Sequence, residues 1–519
     1  MDGKAMKFKV KLLGIEAGGK PIIIIDDENA SLLGIYSSDR VEITYKKENA
    51  IAIVNVAADF PKNTIGIYEE VRTKLKVQSG EEVEVRPAER PESLGYIRDK
   101  ILGRRLQGPE IKMIVMDVVE RHLSDVELAS FVTALNIRGA NMDEAEALSR
   151  AMVDTGQTLD FGKGPILDKH SIGGVPGDKT TLHVVPIVSA AGFTIPKTSS
   201  RAITSSAGTA DRVEVLCPVD LTLEEIRAVV KKTNACLAWG GALDLAPADD
   251  YFIQVEYPLS IDPLLLPSIM SKKKAIGADY VVVDIPVGRG SKIETIGEAH
   301  ALARDFIELG RRLGMQVHCA LTFGEQPIGY AIGPALEARE ALSTLMGEGP
   351  MDLIDKATSL VGILFEMIGV KNGKQKANDL IKSGKAEKKL REIIAAQGGD
   401  PNIKPDDIEV GDEMAKIISE EDGRVQWINN MAIAQIAREV GAPKEKAAGV
   451  LLRRKLGDKV AKGDVLFEIY TKSSQKLDAA ISLAESFKPV GVTERFGEKM
   501  LMDRIPTKIP HEKPFILER

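Results

Sequence analysis

Between residues 7 and 86 apolar and polar positions alternate, as in Val41-Glu-Ile-Thr-Tyr45 and Val83-Glu-Val85. The bursts FKVKLLGI, KPIIIIDD, RVEITYK, AIAIVNVAA and EEVEVRPA are separated by Gly, Asp and Asn. A period of two bounded by turn residues marks half-buried strands. Residues 1–86 are therefore expected to form a β-rich, closed or nearly closed barrel with its own core, interrupted by one helical stretch near Ile67 to Leu75. RPAERPES breaks the alternation with two prolines and reads as a linker. From Leu94 the apolar spacing turns helical. Ser124 with Glu127, and Asn141 with Glu144, have the spacing of a capping box, which predicts two helices flanking NIRGANM. After Gly164 the apolar runs HVVPIVSAAG, RVEVLCPV, ADYVVVDIPVG and MQVHCALTFG alternate with helical stretches, the mark of an α/β sheet. A last unit starts near Gly423, and its second half, VLLRRKLGDKVAKGDVLFEIYT, reads as short strands with Gly-Asp turns.

The chain has 519 residues, enough for several domains, and its net charge of −7 gives a phosphodiester backbone nothing to bind. No nucleic-acid partner is expected. Apolar runs such as Ile22 to Ile25 fall far short of the ~20 residues that cross a bilayer, so no membrane partner is expected either. The start, MDGKAMKFKVKLLG, lacks a sustained apolar stretch of the secretory kind, and a cytoplasmic location is expected. Cys217, Cys236 and Cys319 have no CxxC spacing and read as small core residues. No metal cluster is encoded by grouped His, Cys or Asp, so no metal and no cofactor is expected.

The densest candidate chemistry lies in Asp168-Lys-His-Ser-Ile-Gly-Gly-Val-Pro-Gly-Asp-Lys-Thr-Thr181. Gly173, Gly174 and Gly177 let the backbone approach a ligand, and LHVVPIVSAA reads as a helix whose first amides face the same spot. Lys169, Ser171, Thr180 and Thr181 add one charge and three hydroxyls, which suits a phosphate. The spacing is neither GxxxxGK[ST] nor GxGxxG, and a plain Gly-rich surface turn is the alternative. A second cluster runs from Lys197 to Asp211, with Ser199, Ser200, Arg201, Ala202, Ile203, Thr204, Ser205 and Thr209 following the strand-like FTIP. Hydroxyls around an arginine at a strand end can hold the oxygens of a sugar phosphate; a solvated Ser/Thr linker is the alternative.

KHSIGGVPGDKTT, TSSRAITSSAGTAD, LAPAD and SIMSKK together resemble the nucleoside phosphorylase family of thymidine and pyrimidine-nucleoside phosphorylases, itself distantly similar to anthranilate phosphoribosyltransferase. The resemblance runs from about Leu94 to the C-terminus. Pro176 and the additional N-terminal unit resemble the archaeal, AMP-cleaving branch most closely. The resemblance implies a multidomain α/β protein: a β-barrel at 1–86 that joins subunits, a helical domain at 87–168 plus 250–275, an α/β phosphate-binding domain with a mixed sheet at 169–249 plus 276–422, and an α+β domain at 423–519. It implies phosphorolysis of AMP, and by extension CMP and UMP, to free base and ribose 1,5-bisphosphate, with inorganic phosphate as substrate and a homo-oligomer, a dimer or an assembly of dimers.

By the same resemblance Lys169, Ser171, Thr181, Ser199 and Thr209 bind the attacking phosphate, with Gly173 and Gly174 in the same loop. His170 stands at an active-site histidine position, and Ser268 and Lys272 hold the base. The arginine that follows LAPAD in the pyrimidine enzymes is missing from DYFIQVEYP. Asp262 stands where AMP-cleaving members carry a proton donor. Ile261, Pro263 and the following leucines offer a desolvating setting for it, although Asp-Pro is also a common helix start. Lys292 falls at the nucleotide-binding lysine; a solvated loop lysine is the alternative. His183 and His318 read as core residues, and His122, His300 and His511 have no partner spacing. Two other functions compete. One is a phosphorylase of unphosphorylated thymidine or uridine. The other is a carrier module, suggested by KVAKGDVLFEIYT but lacking a Met-Lys-Met triplet.

Overall fold

The computed structural model describes residues 5–162, 164–202 and 205–493. Alternation becomes a barrel at the N-terminus. Six strands close in the order Met6–Leu12, Thr64–Ile67, Ile22–Asp26, Glu48–Ala57, Arg40–Tyr45 and Glu82–Pro87. Phe8, Val10, Ile23, Ile25, Val41, Ile43, Val54, Ile65, Val83 and Val85 fill the interior, one residue in two along each strand. Two features were not in the sequence pattern. Thr64–Ile67 is only four residues long and contains Gly66, where a Cβ would meet Phe60 at 2.8 Å and Leu13 at 2.9 Å. The helix Asp27–Leu33 starts within the run IIIIDD because Asp26 accepts a bond from Asn29 N at 3.1 Å. The one helix expected in this unit is present as Glu69–Leu75.

Helices Ser93–Ile101, Gly108–Val119, Asp125–Arg138 and Met142–Asp154 follow, and Pro247–Leu259 returns to pack on them. Both capping boxes form. Glu127 N donates to Ser124 Oγ at 3.4 Å and Ser124 N to Glu127 Oε2 at 2.7 Å; Glu144 N donates to Asn141 Oδ1 at 2.8 Å and Asn141 N to Glu144 Oε2 at 3.0 Å. Glu144 also holds the buried Lys100 at 2.6 Å, so this unit has a satisfied ion pair inside it.

The α/β unit differs from expectation in three ways. Its strands Leu167–Ser171, Ile195–Ser199, Ala235–Trp239, Tyr280–Val287 and Gln316–Phe323 pair only in parallel, so the sheet is not mixed. Its strands are joined by crossovers that run through helices, which return the chain to the same end each time. The strand Leu167–Ser171 spans the expected boundary at 168 and lies in this sheet, beside Tyr280–Val287. RVEVLCPV is not a strand: its start closes the helix Thr209–Val213, from which Val213 enters the core, and Leu216, Cys217 and Val219 then enter it from an irregular segment. Three strands form one group and two another. Between them the only ladder contact among the described residues is the bridge of Ile166 with Thr194, so the sheet is open at a seam beside Leu167–Ser171.

The unit that starts near residue 423 also takes in strands from earlier in the chain. An antiparallel sheet orders Ala331–Ile332, Gly449–Leu452, Val465–Thr471 and Glu413–Ile418, so two of its four strands precede residue 423. A smaller sheet joins Lys459–Val460, Gly423–Ile428 and Val490–Thr493. Among the described residues no helix is long and apolar enough to cross a membrane.

His183, on the apolar helix Thr181–Ala190, is wholly buried with Nδ1 donating to Lys179 O at 3.2 Å. Burial pulls its imidazole down to about 4. Between pH 6.5 and 4 the unfolded chain takes up a proton that the folded chain refuses. Stability contributed by His183 is therefore lost as pH falls through that window, by up to about 3 kcal/mol. Denaturant midpoints measured from pH 7 to 4 are expected to fall less steeply in His183→Leu than in the parent.

Candidate functional site

The strand Leu167–Ser171 runs into the loop 172–180, which ends at the helix Thr181–Ala190. Gly174 and Gly177 have φ of 93° and 75°, and a Cβ on them would meet Lys292 N at 2.5 Å and Ile328 O at 2.6 Å. The loop is thus pressed against Ser291–Lys292 on one side, while Gly173 faces open space. Ser171 Oγ accepts from Gly173 N at 3.4 Å. Thr181 is buried in the first turn of the helix.

Lys169 is buried rather than presented to solvent. Its Nζ donates to Thr180 Oγ1 at 2.9 Å and lies 3.9 Å from Asp178, and burial lowers its pKa. Lys356, from the helix Met351–Met367, sits 2.8 Å from Asp284 and 3.5 Å from Asp178. Burial opposes its charge, but the two aspartates outweigh that and raise its pKa. Thr322 Oγ1 donates to Asp284 Oδ1 at 2.6 Å. Asp178, Asp284, Thr322 and Lys356 were not identified from sequence. They come from four separate segments, and the only signal was Asp178 within the glycine motif.

The second loop follows the strand Ile195–Ser199. Ser199 Oγ donates to Ala238 O at 3.4 Å, Ser205 Oγ to Ala207 O at 3.3 Å, and Ser200 is exposed. Ile203 and Thr204 lie outside the described residues. Thr209 Oγ1 accepts from Arg212 at 3.4 Å. Two residues expected to meet an anion are engaged elsewhere. Arg201 makes paired 2.7 Å bonds to Glu214 and a 3.3 Å bond to Asp220, with its guanidinium over Trp239. Arg201 in turn, with Lys446, holds the Glu214 carboxyl down to about 2. Ala202 N, with Gly208 N, donates to Asp211 Oδ2 at 2.8 Å. Asp211 closes the hydroxyl cluster itself, whereas Glu214 and Asp220 lie beyond it, so the motif alone did not reveal the partners of Arg201.

On the opposite wall, Ser268 Oγ donates to Asp249 Oδ2 at 2.9 Å and Lys272 Nζ lies 2.5 Å from the same oxygen. Asp249, the last residue of LAPAD, is wholly buried. Burial disfavours the Lys272 charge, yet Asp249 and Asp250 raise its pKa overall; burial raises Asp250 itself. The helix Leu265–Ala275 carrying Ser268 and Lys272 does not belong to the helical unit alone, because Ile269, Met270 and Ala275 enter the core of the α/β unit. His170 faces this helix from the strand. Burial, then Lys273 and Lys197, hold its pKa well below the usual range, so it is neutral at pH 7.

Asp262 is not desolvated. Its side chain is 45% exposed and pairs with Lys292 at 2.9 Å. Nor does it cap a helix: Leu265–Ala275 begins without a side-chain cap. The desolvated acid is Glu256, 7% exposed, whose Oε1 accepts from Leu264 N at 3.2 Å and which burial and Asp262 push up to about 7. Its place on the buried face of Pro247–Leu259 gave no distinct sequence signal. The arrangement sets a glycine cradle, hydroxyls and a neutral histidine on one side and a serine and a lysine on the other, with a lysine–carboxylate pair between. That suits a substrate with an anionic end and a polar ring.

Three segments of the chain match known protein families. Residues 94–156 match the helical bundle domain of a glycosyl transferase family, 163–387 match its a/b domain, and 424–488 match the pyrimidine nucleoside phosphorylase C-terminal domain. An AMP phosphorylase of Thermofilum pendens is 50% identical over 99% of this chain and 100% of its own. One from Thermococcus kodakarensis is 51% identical over 96% and 99%, and one from Methanosarcina acetivorans 48% identical over 94% and 96%. The crystal structure of anthranilate phosphoribosyltransferase from Thermus thermophilus shares the fold, with a TM-score of 0.50 and 20% identity over 58% of this chain and 98% of its own.

Glu256 supplies a test of the electrostatics. A carboxyl whose pKa is raised by folding contributes stability at low pH that is lost as pH rises through about 7. Glu256→Gln keeps an acceptor for Leu264 N and removes the titration. Relative to the parent, its unfolding free energy is expected to rise between pH 5 and pH 8, by up to about 3 kcal/mol.

Proposed function

Since the chain belongs to the AMP phosphorylase family, we propose that it is a pentosyltransferase that cleaves AMP with inorganic phosphate to adenine and ribose 1,5-bisphosphate, and that CMP and UMP enter the same site. The observation that carries this is the match at 50% identity over 99% of the chain, which takes in both loops, the base-side helix and the barrel. A phosphorylase of unphosphorylated nucleosides is not favoured.

In this reading the attacking phosphate lies in the cradle of Gly173 and Gly174, with Ser171, Thr181, Ser199 and Thr209 as donors and Lys169 behind them. The first turn of Thr181–Ala190 adds its amides. Ser268 and Lys272, held by Asp249, grip the base, and neutral His170 faces them from the strand. Arg201 acts as a brace for its loop through Glu214 rather than as a ligand. A phosphate oxygen bonds to C1′ as the bond from C1′ to the base breaks, and the electron pair leaves with the base. A proton from Asp262 to a ring nitrogen neutralises that charge, a contribution of ~10²–10⁴ in rate. The pairing of Asp262 with Lys292 supports a role for the 5′-phosphate, because that phosphate competes for the same ammonium. Loss of that partner frees the Asp262 side chain to turn toward the base. The chain is also proposed to form a homo-oligomer, with residues 1–86 extending the assembly beyond a dimer.

Phosphate-dependent base release measured on AMP and adenosine side by side is expected to favour AMP strongly, and Asp262→Asn to lower kcat on AMP by at least ~100-fold. Equal turnover of adenosine or thymidine would establish the nucleoside reading instead. Removal of residues 1–86 is expected to give a smaller assembly by light scattering, still active but with a lower Tm. An unchanged subunit number would rule out the assembly role.

A further inference from the structure

Asp168 stands immediately before Lys169, His170 and Ser171 and is wholly buried, yet the reading above gives it no task. It is held from two directions. Lys197, on Ile195–Ser199, lies 3.3 Å from Oδ1 and also donates to Lys169 O. Lys273, on Leu265–Ala275, lies 2.6 Å from Oδ2. Oδ1 accepts in addition from Lys169 N at 2.7 Å. Both lysines are nine-tenths or more buried, so neither ammonium has water as an alternative partner.

The placement of the three groups is informative. Lys197 crosses the seam where Leu167–Ser171 and Ile195–Ser199 stop pairing after the bridge of Ile166 with Thr194. Its ammonium takes over from backbone amides in satisfying the Lys169 carbonyl there. Lys273 follows Lys272 directly, and Ser268 lies on the same helix. Asp168 is thus a buried link between the strand that leads to the phosphate cradle and the helix that presents the base-side serine and lysine.

We propose that Asp168 is a positioning residue that fixes the spacing between the two halves of the substrate site, with Lys197 locking it to the seam and Lys273 locking it to the base-side helix. The proposal rests on the phosphorylase reading for what the two halves hold. In-line attack at C1′ needs the phosphate and the base held at a set separation, and a misplacement of about 1 Å costs on the order of 100-fold in rate. Each half keeps its own binding groups when the link is cut. The loss therefore falls on kcat and leaves the KM for each substrate nearly unchanged.

The test uses the full chain with Asp168→Asn, Lys273→Met, the double variant and Lys273→Arg, assayed where circular dichroism shows each to be folded. Turnover is measured on whichever nucleotide or nucleoside the parent cleaves, so failure of the parent on AMP bears on the phosphorylase reading alone. Expected are a kcat lower by ~10–100-fold in both single variants and KM values for phosphate and nucleotide within about threefold of the parent. The double variant should be no worse than the poorer single, and Lys273→Arg should recover most of the rate. Losses that multiply in the double variant, a rise in one KM that accounts for the whole effect, or an unchanged kcat would each overturn the proposal. If Asp168→Asn or Lys273→Met fails to fold, Asp168→Glu carries the same test: it lengthens the link, and unchanged kcat in a folded Asp168→Glu would overturn it.

Discussion

Charges buried at one end of a parallel sheet must bring their partners with them, and much of this molecule is arranged around that constraint. An isolated ion taken from water costs several kcal/mol, and only close counter-charges and hydrogen bonds offset it. Asp168, Asp178 and Asp284 lie under the cradle with Lys169, Lys197, Lys273 and Lys356. Their partners come from strands, from the connecting helix and from the helix Met351–Met367, so segments far apart in the chain are drawn to one place. The glycine loop rests on this charged floor, and its backbone is shaped by close packing at Gly174 and Gly177.

The same principle separates the groups at the site's rim from those beneath it. Lys292 and Asp262 are each 45% exposed and can exchange partners at small cost. Lys169 and Asp168 cannot. A site that must admit and release anions benefits from having its exchangeable pair outermost and its fixed pairs below. His170, kept neutral by burial and by the surrounding lysines, completes the division, since a cation there would face Lys272 and Lys273.

Local chemistry was legible in the chain wherever it is local in space. Both capping boxes, the alternation of the barrel strands and the run from Asp168 to Thr181 appear in the structure where the pattern put them, because each depends on neighbours within a few residues. Long-range satisfaction was not legible. Arg201 reads as an anion ligand until Glu214 and Asp220 fold back onto it, and Asp262 reads as a buried acid until the chain turns it outward to Lys292 and leaves Glu256 inside. RVEVLCPV has the composition of a strand, but the helix begun at Gly208 and braced by Asp211 claims its first residues. Parallel pairing throughout the α/β sheet is a property of the crossovers and leaves no mark in any single strand.

The antiparallel sheet that takes Ala331–Ile332 and Glu413–Ile418 from the middle of the chain and Gly449–Leu452 and Val465–Thr471 from near its end has a consequence for biosynthesis. On a ribosome, the earlier two strands emerge before either of their partners exists. At roughly 5–20 residues per second they wait for several seconds or longer with open hydrogen-bonding edges. The C-terminal unit therefore cannot fold as an appendage to a finished enzyme. It supplies the two central strands of that sheet, and a nascent chain arrested shortly after residue 423 would expose two separate unpaired strands to chaperones.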